Sequence, residues 1–379
     1  MPNPSFWENE VFYQQADFII IGSGIVGLNA AIHLKESSPE SRVVVLERGT
    51  LPIGASTRNA GFACFGSLSE LLDDLKTQSE EEVLALVEKR WRGLQRLRER
   101  VGDKNLDFKQ WGGYELFEEK EATAFNKCVE RVDDFNEKLA VIISNKKTFQ
   151  IADNELGRFN FKNIKHLIFN SAEGQVHTGK MMHALWQLAV KKGIEVFNGV
   201  EVLDFENSEN GVTIFGNHGF EMKAAKMAVC TNGFAKKLLP LLKDISPARN
   251  QVLITKPIEN LHLKGTFHYD RGYVYFRNVG NRVLLGGFRQ LAKTEETTAQ
   301  FGLTNNIQDA LESFLRTVIL PNQKVEIEQW WSGIMGVGET KAPIVKEVEK
   351  NVFVAVRLGG MGVAIGSLVG EEVAELMNG

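Results

Sequence analysis

The stretch "DFIIIGSGIVGLNAAIHL" holds Gly22, Gly24 and Gly27 in the order G-x-G-x-x-G, and it constrains the fold more than any other feature. Before the glycines, Ile19, Ile20 and Ile21 form a β-branched run of the kind found in a parallel strand buried on both faces. After them, Ile25, Leu28, Ala31 and Ile32 recur at helical spacing. "SSPES" reads as a turn, and "RVVVLE", Arg42 to Glu47, as a second buried strand. Strand, glycine turn, helix and strand within about 30 residues make a βαβ unit. In such a unit Gly22 permits the tight turn, Gly24 admits a pyrophosphate against the backbone, and Gly27 lets the helix pack closely on the strand. The helix start at Ile25 offers N–H groups and partial positive charge to phosphates. Glu47, ending the second strand, can accept hydrogen bonds from ribose hydroxyls. A bound dinucleotide is therefore expected.

Other properties narrow the class. A chain of 379 residues suggests two domains, and 43% hydrophobic with 24% charged residues is ordinary for a globular protein. A net charge of -4 leaves no basic excess for nucleic acid or an anionic membrane. Cys64, Cys128 and Cys230 are far apart, without zinc spacing or a disulfide framework, which suggests a reducing compartment. "MPNPSFWENEVFYQQ" lacks the basic and apolar regions of a signal peptide, and no apolar run approaches the roughly 20 residues that span a bilayer. The expected location is the cytoplasm, with no membrane insertion and no metal.

Further along, "EEEVLALVEKRWRGLQRLRER" reads as a helix with a solvated charged face, and "ATAFNKCVERVDDFNEKLAVI" as another helix. "YVYFRNVGNRVLLGGFR" reads as a hairpin with its turn at Asn278 to Asn281. With no repeat or Pro/Ser-rich linker, the domains are expected to interleave.

Three stretches favour a resident flavin over an exchanging nicotinamide. In "ERGTLPIGASTRNAGF", the small residues Gly54, Ala55 and Ser56 leave backbone N–H groups for an extended pyrophosphate. "GVEVLDFE" and "VCTNGF", with Val202, Thr231 and Gly233, are sheet-end segments suited to closing around an adenosine. "LGGMGVAIGS" lies between the last strand and the last helix, where N–H groups from Gly362 to Ile365 could stabilise negative charge on a reduced flavin.

In that order, these stretches resemble the D-amino-acid oxidase superfamily of FAD-dependent oxidoreductases, the glycine and sarcosine oxidase family, from Asp17 to Leu376. "GASTRNAGF" and the early "SFW" are similar to the gamma-glutamylputrescine oxidase-like branch. The resemblance implies an α/β (α+β) fold: a Rossmann-like FAD-binding domain (1–75, 160–240 and 325–379) and an interleaved substrate domain with an antiparallel sheet (76–159 and 241–324). It assigns FAD contacts to Gly22, Gly24, Ile25, Gly27, Glu47, Arg48, Ser56, Val202, Thr231, Gly233, Gly359, Gly360, Met361, Gly362 and Val363. Arg58, Asn59 and Gly61 match the stretch running toward the isoalloxazine ring. The implied chemistry removes a hydride from a carbon bonded to nitrogen, giving an imine, with O2 as acceptor and H2O2 as product in an oxidase, or another electron acceptor in a dehydrogenase.

Two departures from the family pattern bear on the substrate. Where relatives keep a carboxylate-binding arginine in "W-x-G-x-R-P", "WSGIMG" has Met335, and the second family arginine matches Gly360. Methionine offers no bidentate donor, which favours an amine over a small α-amino acid. The remaining candidates are Tyr273, Tyr275 and Arg277, alternating on one strand face, with Arg277 or Arg357 as carboxylate ligand in the glycine or D-amino-acid oxidase alternative. Arg289 reads as a surface residue and His177 as structural. Leu284 holds the approximate place of an oxygen-activating lysine. Cys64 could approach the flavin, although noncovalent FAD is expected. A non-catalytic FAD-binding scaffold is the third alternative.

Overall fold

The computed structural model describes residues 4–379. Two eight-stranded sheets organise the chain. The first has the order Ile344–Glu349, Val352–Val356, Glu221–Val229, Ala16–Ile21, Val43–Glu47 and Glu195–Asn198, and the pair Val202–Ser208 and Gly211–Gly216 joins it beside Glu221–Val229. Ala16–Ile21 runs parallel to both Glu221–Val229 and Val43–Glu47. Val43–Glu47 is buried along its whole length, and Ile19–Ile21 and Met227–Val229 are buried apolar runs beside it, because both faces are covered there. The helix Ile25–Ser37 follows the glycine turn as expected. It is buried nearly all round rather than along the one face expected, because the sheet, the closing helix Gly362–Asn378 and the helix Thr178–Lys191 enclose it. The closing helix presents glycine at this contact: a Cβ on Gly370 would lie 2.7 Å from the Val26 carbonyl oxygen.

The second sheet has the order Ile327–Val337, Ser246–Thr255, Arg282–Gly287, Val274–Val279, Thr266–Tyr269, Gly113–Glu118, Ile164–Asn170 and Phe149–Ile151. It is antiparallel except where Thr266–Tyr269 lies parallel to Gly113–Glu118. Two of its strands, Ile164–Asn170 and Ile327–Val337, come from segments the sequence assigned to the other domain. The helix Glu80–Val101 behaves in the opposite way. It lies within 76–159 yet packs on the closing helix, where a Cβ on Gly93 would sit 2.3 Å from the Ala364 carbonyl oxygen. Its charged face is only partly solvated: Arg96 and Arg100 both reach Glu371, and Lys89 reaches Glu372. Strand by strand the chain still alternates between the two sheets in five runs, so what moves is where the expected segments begin and end.

The hairpin forms in register Val279↔Arg282, with Gly280 and Asn281 as its loop. Its first strand begins at Val274, so Tyr273 lies just outside it. Among the described residues, no helix is long and apolar enough to cross a membrane.

Candidate active site

A cavity of ≈ 500 Å3 runs from the glycine turn at the ends of the first sheet's strands to the face of the second sheet. At its first end Gly22 takes φ 102, which favours glycine, and its N–H bonds to the Leu46 carbonyl at 2.8 Å. A Cβ on Gly24 would lie 2.9 Å from Ser56 Oγ, so a side chain there would intrude on the cradle. Gly27 lies behind the cavity, with its would-be Cβ 1.9 Å from the Gly22 carbonyl oxygen. This is the close helix–strand packing expected of the third glycine.

Several expected roles change when the partners are counted. The Ile25 N–H already donates to Ser56 Oγ at 2.9 Å, so Ser56 caps the helix start instead of leaving it free. Glu47 is buried and accepts from the Ser23 N–H (3.1 Å), the Ser23 hydroxyl (2.9 Å) and the Gly49 N–H (2.9 Å). It still lines the cavity, with acceptor capacity to spare. Gly233 does not line it. That glycine serves packing, since a Cβ would lie 2.5 Å from the Met335 carbonyl oxygen. Arg48, Val202 and Thr231 do line it. Arg48 stacks over the Phe234 ring at 4.0 Å, and Thr231 Oγ1 is buried with no hydrogen-bond partner.

The loop carrying Arg58, Asn59 and Gly61 is locked from several sides. Arg58 donates to the Ile53 carbonyl (3.2 Å) and the Ser332 carbonyl (3.0 Å), with its guanidinium over Phe301. Asn59 Nδ2 donates to the carbonyls of Ala55 and Ser56, and its Oδ1 accepts from the Gly61 N–H. Gly61 takes φ 74, and a Cβ there would lie 2.3 Å from the Val176 carbonyl oxygen. Opposite this loop, Gly359 and Gly360 adopt positive φ, and with Met361, Gly362 and Val363 they form the cavity wall where the closing helix begins. Glycine cradles, an orphaned threonine hydroxyl and a carboxylate at the strand end suit an extended dinucleotide.

The two arginines considered for a carboxylate ligand are not available. Arg277 is buried and donates to the Ala60 carbonyl and, at 3.0 Å, to the Val176 carbonyl. Burial pushes its guanidinium down to about 10, still cationic at neutral pH. It ties the Arg58–Gly61 loop to the segment before the helix Thr178–Lys191 and does not line the cavity. Arg357, at φ 66, donates to the carbonyls of Ala342 (2.7 Å) and Asp244 (3.0 Å) and pairs with the Asp244 carboxylate, outside the cavity.

Tyr275 and Met335 line the inner end, and Tyr273 sits at the mouth, 45% exposed. The Tyr275 hydroxyl accepts from Asn250 Nδ2 at 3.0 Å, leaving Asn250 Oδ1 buried and without a partner. Burial raises the Tyr275 phenol well above its ordinary value, so it stays protonated. Arg289, expected at the surface, is half-buried and lines the cavity. Leu284 is buried beside Ala60 and Val252 and does not reach it. His177 caps the helix Thr178–Lys191 by accepting the Lys180 N–H at 3.2 Å, which is a structural role.

Sequence reading missed a buried acid–base cluster. His268, opposite Tyr275 in the ladder, lines the cavity, and its Nε2 lies 2.5 Å from Glu173 Oε1. Glu173 Oε2 has no partner. Burial disfavours the imidazolium, but the Glu173 carboxylate, helped by Glu115 and Glu70, outweighs it and holds His268 above its ordinary value. Cys64 stands within 4.8 Å of this pair, and its Sγ lies 3.9 Å from Met361 Sδ. Burial, together with Glu173 and Glu70, raises its thiol, so it is not a thiolate. Lys341 bridges Glu70 (2.8 Å) and Asp74 (2.7 Å) nearby. These residues follow no motif; only the polar residues inside the apolar run "TFHY" and beside "SAEGQV" could have marked them.

The chain is 24% identical to probable oxidoreductase OrdL of Haemophilus influenzae, covering 97% of this chain and 84% of that one. It is 24% identical to glycine oxidase of Geobacillus kaustophilus (95% and 92%) and 23% identical to gamma-glutamylputrescine oxidoreductase of Escherichia coli (96% and 84%). The crystal structure of the Geobacillus kaustophilus glycine oxidase shares the fold at a TM-score of 0.76, covering 96% of this chain and 95% of that one at 21% identity. The L-proline dehydrogenase of P. horikoshii also reaches 0.76, at 18% identity, covering 96% and 94%. A sequence profile described as "FAD dependent oxidoreductase" (DAO) matches residues 17–376, nearly the whole chain, and by that match the chain belongs to the DAO family of FAD-dependent oxidoreductases.

Proposed function

We propose that this protein oxidises the C–N bond of an amine to an imine, with FAD held noncovalently in the cavity and O2 as the electron acceptor, giving H2O2. The chemistry bound FAD supplies is acceptance of a hydride by its isoalloxazine ring. In this reading Gly22, Gly24 and Glu47 hold the pyrophosphate and ribose end, with Arg48, Val202 and Thr231 around the adenosine. The Arg58–Gly61 loop and the Gly359–Val363 turn hold the ring end. N–H groups where the closing helix begins favour negative charge there.

One observation carries the choice of an amine. The inner end of the cavity offers an unpartnered acceptor, Asn250 Oδ1, beside the Tyr275 hydroxyl, with Met335 as wall. Asn250 Oδ1 can accept an amine N–H, and the Met335 and Met361 side chains restrict how the adjacent C–H bond lies. An α-carboxylate would need a guanidinium at the same end, and Arg277 and Arg357 are both committed elsewhere.

Anaerobic bleaching of the purified yellow protein tests this reading. Alkyl amines and polyamines are expected to bleach the flavin, and glycine and D-alanine are expected to do so poorly. Preferential reduction by glycine or D-alanine would overturn the amine assignment. A protein that cannot be reconstituted with FAD would overturn the cofactor assignment.

A further inference from the structure

We propose that Arg289 anchors a carboxylate carried by the substrate away from its reacting amine, so that the preferred substrates are ω-amino acids or similar amines with a distant acid group. The inference rests on the amine reading above and extends it.

The local backbone is built to aim this side chain. Arg289 begins a single 3-10 turn, Arg289–Ala292, directly after the strand Arg282–Gly287. Phe288 between them takes φ 58, a left-handed conformation costly for a residue with a bulky side chain. That conformation is held by its N–H bond to the Tyr273 carbonyl (3.2 Å) and by its ring against Phe314 at 5.7 Å. Strained backbone persists where its surroundings fix it, and such sites are enriched at ligand clamps. Here the result is that Arg289 leaves the hairpin at its open end, next in the chain to the Phe288 N–H that bonds the Tyr273 carbonyl, and lines the cavity.

The charges lining the cavity single out Arg289. Lys341 is neutralised by Glu70 and Asp74, Arg271 by Asp270, and Lys237 by Glu201. Asp73, an acid that also lines the cavity, pairs with Lys76. Arg58 is tied to backbone carbonyls, and Arg48 stacks on Phe234 at the dinucleotide end. Among the described residues no carboxylate or carbonyl pairs with Arg289, although it is half-buried and lines the cavity. A half-desolvated guanidinium without a counter-ion is a ready carboxylate site, because its planar fork matches a carboxylate bidentately.

Position then selects the ligand. The Asn250–Tyr275 end accepts N–H groups, and Gly286 faces Tyr275 in the ladder, three residues before Arg289. The chain advances about 7 Å over the two residues from Gly286 to Phe288 before Arg289 begins its turn. A carboxylate on the reacting carbon itself would fall short of Arg289. One separated from the amine by several bonds would span the two ends.

The test uses the FAD-loaded protein and two readouts. First, a series from glycine through 4-aminobutyrate to 6-aminohexanoate is compared with matching n-alkylamines by anaerobic flavin reduction. Second, straight-chain monocarboxylates from propionate to hexanoate are titrated against the visible flavin band, which needs no turnover. Expected are a preference for the longer amino acids over the matching alkylamines and a fall of that preference by at least about tenfold in Arg289→Met. Carboxylate affinity should weaken by a similar factor and recover in part in Arg289→Lys. Retained yellow colour shows that both variants fold. Carboxylate affinity equal in wild type and Arg289→Met would overturn the proposal, as would a preference for plain alkylamines. If no amine bleaches the flavin, the amine reading fails, and the carboxylate titration still decides on Arg289.

Discussion

Gly27 has no room for a methyl group, since its would-be Cβ falls 1.9 Å from a backbone oxygen rather than from a movable side chain. Gly27→Ala is therefore expected to cost more than about 3 kcal/mol, beyond ordinary overpacking, as read by urea denaturation. A cost below 1 kcal/mol, on the order of a surface substitution, would contradict the packing role. Arg277→Met leaves the buried Ala60 and Val176 carbonyls without their donor. The expected outcome is a loss of about 1–3 kcal/mol with weaker FAD retention. A change in substrate preference with unchanged stability would point back to a role in substrate binding. His268 carries a pH signature. Its charged form is favoured by the fold, so its contribution is fully present below the unfolded-state pKa, about 6.5, and is lost as pH rises through the raised folded-state pKa. Unfolding free energy should therefore decline above about pH 6.5 in wild type and do so less in His268→Gln. Equal slopes would remove His268 as the source.

At the level of elements, legibility followed how local the signal is. The βαβ unit was readable because three glycines, two β-branched runs and Glu47 lie together in sequence, and each answers to backbone geometry. The hairpin was readable from alternation and its glycine, but its start was not. Asp270, Arg271 and Gly272 all take positive φ, and that turn consumes Tyr273 before the ladder begins. Alternation put Tyr275 and Arg277 on one face, and it could not show that two residues of advance carries Arg277 past the cavity to the Ala60 and Val176 carbonyls. Arg357 escaped for a similar reason, because its left-handed backbone turns it toward Asp244. The contact between the helix Ile25–Ser37 and the closing helix, far apart in sequence, was invisible for want of a local pattern. It makes its own prediction: Gly370→Ala should lower stability by about 1–3 kcal/mol, because its Cβ would press on Val26 and Ala30 backbone atoms. A thermal melt of the FAD-free protein checks this apart from cofactor loss.

Across the whole molecule, the cavity is walled by both sheets and by the start of the closing helix, so a ligand filling it adds contacts between parts of the chain far apart in sequence. Added FAD should raise the melting temperature in a concentration-dependent way, equivalent to about 4 kcal/mol at a thousandfold excess over Kd. A melting temperature indifferent to FAD would argue against occupancy of this cavity. The family was legible from the order of the glycine stretches. The His268–Glu173 pair and Arg289 were not, since each depends on where distant strands stop.

The sulfur lining of the inner end has a consequence for working lifetime. Met335, Met361 and Cys64 all face the chamber in which the proposed oxidase would release peroxide, and two of these sulfurs lie 3.9 Å apart. Methionine sulfoxide is polar and bulkier, so each oxidation event would roughen the very wall that orients the substrate. Such an enzyme ages by use rather than by time: its activity should fade with the number of turnovers completed, and catalase in the assay should prolong it.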